Sequence, residues 1–251
     1  MRVIESFQIN LYDYKINSNS IVHFLRVEPG SLSISLKNIL EKLSELSWLN
    51  KFSKDTLKIS YRQKAESTIN HLEKSLYDDT ESVIIEKAGE YIVSAISKDA
   101  IVEELNHFDL PLMELLGRKK SGNPGFDYYT EERDNNILFC GEAKYKKGSN
   151  PYSSSFFQIK EFIEEKKHVA DASLLDELAD DTSLDNLLKN IFGISSAFSS
   201  TSIETNKLIE NIVKNENFIN LLEYKNIVLI AVNMPWKVYW KTLVTMIMWR
   251  E

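Results

Sequence analysis

The run NIVLIAV at 226–232 limits what this chain can fold into more than any other stretch. It is continuously apolar, rich in β-branched residues and closed by Asn233-Met234-Pro235, with no polar alternation to turn towards water. A strand of that kind is stable with both faces covered, which places it inside a sheet sandwiched between helices. Other stretches supply the helices. Ile34, Leu36, Ile39, Leu40, Leu43 and Leu46 recur at helical spacing between Ser33 and about Trp48, and a second helical stretch runs from Ala65 to Leu76. Beyond Glu81, the residues Ile84, Ile85, Ala88, Tyr91, Ile92, Ala95 and Ile96 form one apolar helix face, with Glu86 and Glu90 together on its flank. FFQIKEFIEEKKHV at 156–169 and WKVYWKTLVTMIMW at 236–249 read as further helices, as does the polar, acidic region 171–220. Residues 1–30 read as short strands stopped by Pro29-Gly30. The expected architecture is α/β, with a mixed central sheet flanked by helices over 80–251. An α+β region over 1–79, whose role the sequence does not disclose, packs against it.

The chain has eight glycines, and five of them fall between 117 and 148. Glycine concentrates where backbone turns tightly or comes close to something else. Among them lie two strand-like runs, FDYYTE at 126–131 and ILFCGEAKY at 137–145, joined by the polar turn ERDNN, which is a hairpin signal. Alternation puts Leu138, Cys140, Glu142 and Lys144 on one face of the second strand, and Ile137, Phe139, Gly141, Ala143 and Tyr145 on the other. A carboxylate and an ammonium therefore project side by side from the end of an otherwise apolar strand. Asp127 lies on the strand before them.

Those residue types suit phosphodiester hydrolysis. The reaction needs charge on a pentavalent transition state neutralised and a nucleophile generated near neutral pH. Hard oxygen ligands that hold Mg²⁺ or Mn²⁺ serve both needs. Asp127 and Glu142, with the Ala143 carbonyl, are the expected ligands, and Lys144 would orient the water or stabilise charge at the scissile phosphate. The tripeptide alone is weak: Glu164/Lys166 and Glu165/Lys167 also match E-x-K but lie in a charged helical stretch, and Glu223/Lys225 matches but lacks an upstream Asp-bearing hairpin strand.

The string GFD…GEAKY resembles the motifs of PD-(D/E)XK nucleases, and more narrowly those of the HamA nuclease subunits of Hachiman antiphage defence systems. The resemblance covers about residues 84–168. It implies a restriction-endonuclease-like core in which the Asp of one hairpin strand meets the Glu-x-Lys of the next at the sheet edge. A preceding helix often adds a Glu, for which Glu90 is the matching residue with Glu86 one turn away, and a following helix a Gln, for which Gln158 is comparable. It further implies a DNA substrate, a role in antiphage defence and a helicase partner. Phe126 stands where the family name has Pro.

Charge qualifies that expectation. The formal net charge is −7, whereas proteins that grip DNA unaided usually carry a basic balance. The basic residues cluster as Arg118, Lys119 and Lys120, then Lys144, Lys146 and Lys147, flanking the hairpin; Lys119, Lys120, Lys146 and Lys147 are the expected nucleic-acid contacts. A single cysteine, Cys140, excludes an internal disulfide framework and a multi-cysteine zinc site. No apolar run approaches a membrane span, and the first residues hold no signal-peptide core, so a cytoplasmic protein is expected. The histidines are scattered, and no nucleophile elbow or Walker loop occurs, which leaves a small-molecule hydrolase without a motif. The rival from another class is a non-catalytic nucleic-acid-binding or interaction module that keeps the fold.

Overall fold

The computed structural model describes residues 1–30, 41, 44–77, 82–117 and 125–234; the side chains of 71–88 are outside that description. The aromatic-rich helix expected at 236–249 and most of that expected from Ser33 lie outside it too.

The apolar run forms β7 (Asn226–Asn233), which lies inside a seven-stranded mixed sheet. Its neighbours are β2 (Ile21–Glu28) and β6 (Gly193–Ser200), both parallel to it. The sheet continues from β6 to β5 (Ile137–Lys144), β4 (Tyr128–Glu132) and the short β3 (Phe108–Asp109), while β1 (Arg2–Ile9) closes the other edge against β2. The N-terminal strands thus extend the same sheet as the rest of the chain. β2, β7, β6 and β5 all run one way, so their C-terminal ends share one side of the molecule.

Helices cover both faces, as the uninterrupted apolar strand requires. One face of β5, β6 and β7, carrying Phe139, Ala143, Ala197, Val228 and Ile230, meets Ile92, Val93, Ile96 and Ile101 of α2 (Ser82–Glu104), with Ala65 and Ile69 of α1 (Asp55–Tyr77) behind. The other face, with Leu138, Cys140, Ile194, Phe198, Leu229 and Ala231, meets Phe156, Ile159 and Phe162 of α3 (Tyr152–Glu164). Behind these come α4 (Lys167–Leu175), α5 (Asp181–Leu188), α6 (Thr205–Val213) and α7 (Glu216–Leu221). Each large apolar side chain so buried stabilises the fold by roughly 1.5–3 kcal/mol.

The region 171–220 departs from its all-helical expectation. It contains β6, whose sequence GISSAFSS is buried at every residue. Serine gives a strand no apolar signature, so the periodicity that marks β7 is missing from its neighbour.

Candidate active site

The hairpin builds the site by ending unevenly. β4 pairs with β5 antiparallel up to Tyr128↔Gly141, and the Asp127 N–H then donates to the Gly141 carbonyl at 2.8 Å. β5 runs on to Lys144, so Glu142, Ala143 and Lys144 have β6 on one side and, among the described residues, no strand on the other. The Asp127 carboxylate takes that place: its Oδ2 accepts the Ala143 N–H at 2.8 Å, satisfying a donor at an open sheet edge.

Gly141 makes the junction possible. The Tyr128 ring lies across it so closely that a Cβ there would stand 2.3 Å from the ring. Crossing β5, the Tyr128 hydroxyl reaches Ser195 on β6, 3.1 Å away. A second close approach fixes the helix. The Tyr145 ring packs on the backbone at Gly89, where a Cβ would again be 2.3 Å from it, so α2 is seated against β5 with Glu90 next in sequence.

The charged side chains then converge on Lys144. Its Nζ lies 2.8 Å from Glu142 Oε1 and 3.3 Å from Glu90 Oε1. Glu142 is 1 % exposed, and its Oε2 is buried without a hydrogen-bond partner among the described residues. Burial, then the Asp127 carboxylate and more weakly Glu90, push the Glu142 carboxyl well above the usual range, against the pull of Lys144. Burial alone would lower the Lys144 ammonium, but Glu142, Glu90 and Asp127 together raise it, so it stays charged at neutral pH. Three carboxylates, those of Asp127, Glu142 and Glu90, thus act on the ammonium of Lys144.

The structure therefore gathers Asp127, Glu142, Lys144, Glu90 and the Ala143 backbone at one end of β5. Lys146 and Lys147 are exposed immediately after the strand. Gln158 is half-buried on α3, but it is Ser155, three residues earlier, that donates to the Glu142 carbonyl, at 3.2 Å. Arg118, Lys119, Lys120 and the Glu86 side chain lie outside the described residues. Two neighbours escaped sequence reasoning. Glu114 is buried, and the Met113 N–H bonds the Asp127 carbonyl at 3.1 Å, which ties its segment to the site. Tyr91 has its phenol held well above the ordinary value by burial and then by Glu114 and Asp127. The charge inside the apolar PLMELL was the available signal for Glu114.

Comparison with protein-family models, curated proteins and solved structures finds no match to this chain. Among the described residues, no group of three or more His, Cys, Asp or Glu stands ready to hold a metal ion, and no helix is long and apolar enough to cross a membrane. The ammonium of Lys144 bridges Glu142 and Glu90 instead. The donors still suit a hard divalent cation in kind: they are carboxylate and carbonyl oxygens, and among the described residues a buried Glu142 oxygen has no hydrogen-bond partner.

Proposed function

We propose that this chain is a metal-dependent nuclease of the PD-(D/E)XK kind with a restriction-endonuclease-like core, hydrolysing phosphodiester bonds of DNA. The observation that supports it most is the convergence of Glu142 and Glu90 on Lys144 at the end of β5, with Asp127 beside them and, among the described residues, a buried Glu142 oxygen that has no hydrogen-bond partner. A purely structural ion pair has no use for a buried carboxylate oxygen left unsatisfied.

Asp127, Glu142, Glu90 and the Ala143 carbonyl would hold Mg²⁺ or Mn²⁺, which supplies charge neutralisation and an acidified water when bound. In the hydrolysis a water oxygen would bond to phosphorus as the bond from phosphorus to the leaving oxygen breaks, the water giving a proton to solvent and the leaving alkoxide taking one from it. Lys144, held as an ammonium by three carboxylates, is an electrostatic partner for the phosphate and not a base. To reach the phosphate it releases Glu142, freeing both oxygens of that carboxylate as ligands. Lys146 and Lys147 contact the backbone beyond. With a net charge of −7 the chain binds duplex DNA weakly alone. That restraint suits a role in cytoplasmic antiphage defence, with a helicase partner delivering DNA, as the likeness to HamA implies.

Nicking of supercoiled plasmid in Mg²⁺ and in EDTA, by the wild type and by Lys144→Ala, is the test. Cleavage in Mg²⁺ by the wild type alone supports the proposal. Cleavage persisting in EDTA or in the variant contradicts it. The non-catalytic alternative draws on one observation, that Lys144 closes the cluster on itself through Glu142 and Glu90, and it expects no cleavage under any of these conditions.

A further inference from the structure

β6 is an anomaly in this sheet. It lies between β5 and β7 with every residue buried, a position normally filled by Val and Ile, yet serines occupy 195, 196, 199 and 200. Buried hydroxyls are tolerated only when hydrogen-bonded, and an apolar strand would be the simpler solution. The partners of these hydroxyls are informative. Ser195 Oγ donates to the Tyr128 hydroxyl at 3.1 Å, on the ring that lies over Gly141. Ser196 Oγ donates to Ser155 Oγ at 2.8 Å, and Ser155 Oγ to the Glu142 carbonyl at 3.2 Å. Ser199 Oγ accepts the Lys146 N–H at 3.1 Å and donates to the Lys146 carbonyl at 3.3 Å. The attachments fall just before, on and just beyond Glu142–Lys144.

We propose that the serines of β6, with Ser155 of α3 as relay, are positioning residues that hold the Glu142 peptide and so aim its carboxylate at Lys144 and Asp127. Apolar packing would keep β5 buried but leave it free to slide and tilt by fractions of an ångström. Directional bonds to the Glu142 carbonyl and to the Lys146 main chain, with that of Ser195 to the Tyr128 hydroxyl before them, remove that freedom, which is the property a preorganised centre needs. The catalytic half deepens the nuclease proposal and rests on it; the positional half does not.

The test compares Ser155→Ala, Ser196→Ala and Ser196→Thr with Ser183→Ala, a control at a buried serine whose hydroxyl has no hydrogen-bond partner among the described residues. Two readouts are taken: amide hydrogen exchange across Glu142–Lys144, and plasmid cleavage in saturating Mg²⁺. Exchange at Glu142 and Ala143 is expected to quicken in Ser155→Ala and Ser196→Ala and to stay at the wild-type rate in Ser183→Ala. Their kcat falls about 10-fold while KM for DNA stays within about twofold, as loss of a supporting contact predicts, and Ser196→Thr, which keeps the hydroxyl, recovers most of kcat. Exchange indistinguishable from that of Ser183→Ala, or kcat unchanged, overturns the proposal. A wild type that does not cleave DNA sinks the nuclease proposal alone; the exchange comparison then decides whether the serines position β5.

Discussion

Two cations sit at the same end of this sheet, Arg26 buried and Lys144 partly exposed, and are treated in opposite ways. Arg26, on β2, is closed off completely. Its guanidinium donates to Asn233 Oδ1 at 3.1 Å, to the carbonyls of Ser202 and Ile203 and to Thr205 Oγ1, with Glu5 at 3.8 Å. Those bonds tie the ends of β2 and β7 to the loop after β6. Lys144, on β5, pairs with Glu142 at 2.8 Å and Glu90 at 3.3 Å, and among the described residues Glu142 Oε2 is buried without a hydrogen-bond partner. A buried polar group with a structural role is satisfied by its surroundings, because leaving it unpaired costs stability. A buried carboxylate oxygen left unsatisfied in a folded chain marks a place where something else is meant to bind or react.

That contrast can be broken most forcefully at the two cations. Lys144→Ala is expected to lower DNA cleavage by on the order of 10³-fold with the fold intact. Arg26→Ala is expected to do the reverse, costing about 3 kcal/mol in urea unfolding while cleavage per folded molecule stays within about twofold. Equal losses of activity in the two variants would end the distinction.

How much of this was legible in the sequence differs from strand to strand, for physical reasons. β7 and β5 announced themselves because apolar side chains packed on both faces leave a continuous or alternating record. β6 left none, since its burial is satisfied by serine hydroxyls that bond outward to β4, to α3 and to the Lys146 backbone beyond β5. The proximity of Glu142 and Lys144 follows from the two-residue period of a strand. The reach of Glu90 to Lys144 does not follow from spacing; it depends on Gly89 letting the Tyr145 ring seat α2. Ser155 was passed over because three serines beside Pro151 look like a loop, whereas the structure makes them the first turn of α3.

Acid sharpens the comparison from the neighbouring core. Burial, and then His23, hold the His107 imidazole down to about 4, and it hydrogen-bonds Thr130 at 3.0 Å. The unfolded chain, with an ordinary histidine near 6.5, binds more protons between those values. His107 therefore contributes fully above about pH 6.5 and loses up to about 3 kcal/mol as pH falls towards 4. Urea unfolding at pH 7 and pH 4.5 should show a smaller drop for His107→Phe than for the wild type. Glu142 has the opposite sign: its raised carboxyl weakens the fold above the usual carboxylate range and relieves it as pH falls.

The smallest expected effect is also specific. Glu142→Gln removes a carboxyl whose charged form burial disfavours, so without metal at pH 7 it should raise stability slightly in urea unfolding while abolishing cleavage. A loss of stability would mean that Glu142 serves Lys144 as Glu5 serves Arg26.

Calorimetric titration of Mn²⁺ into the wild type and into Glu142→Gln tests most directly whether the unsatisfied Glu142 carboxylate is there for a cation. Binding at one site by the wild type, lost or weakened at least about 10-fold in the variant, is the expected result. Equal binding by the two proteins, or no binding to the wild type, would contradict the account.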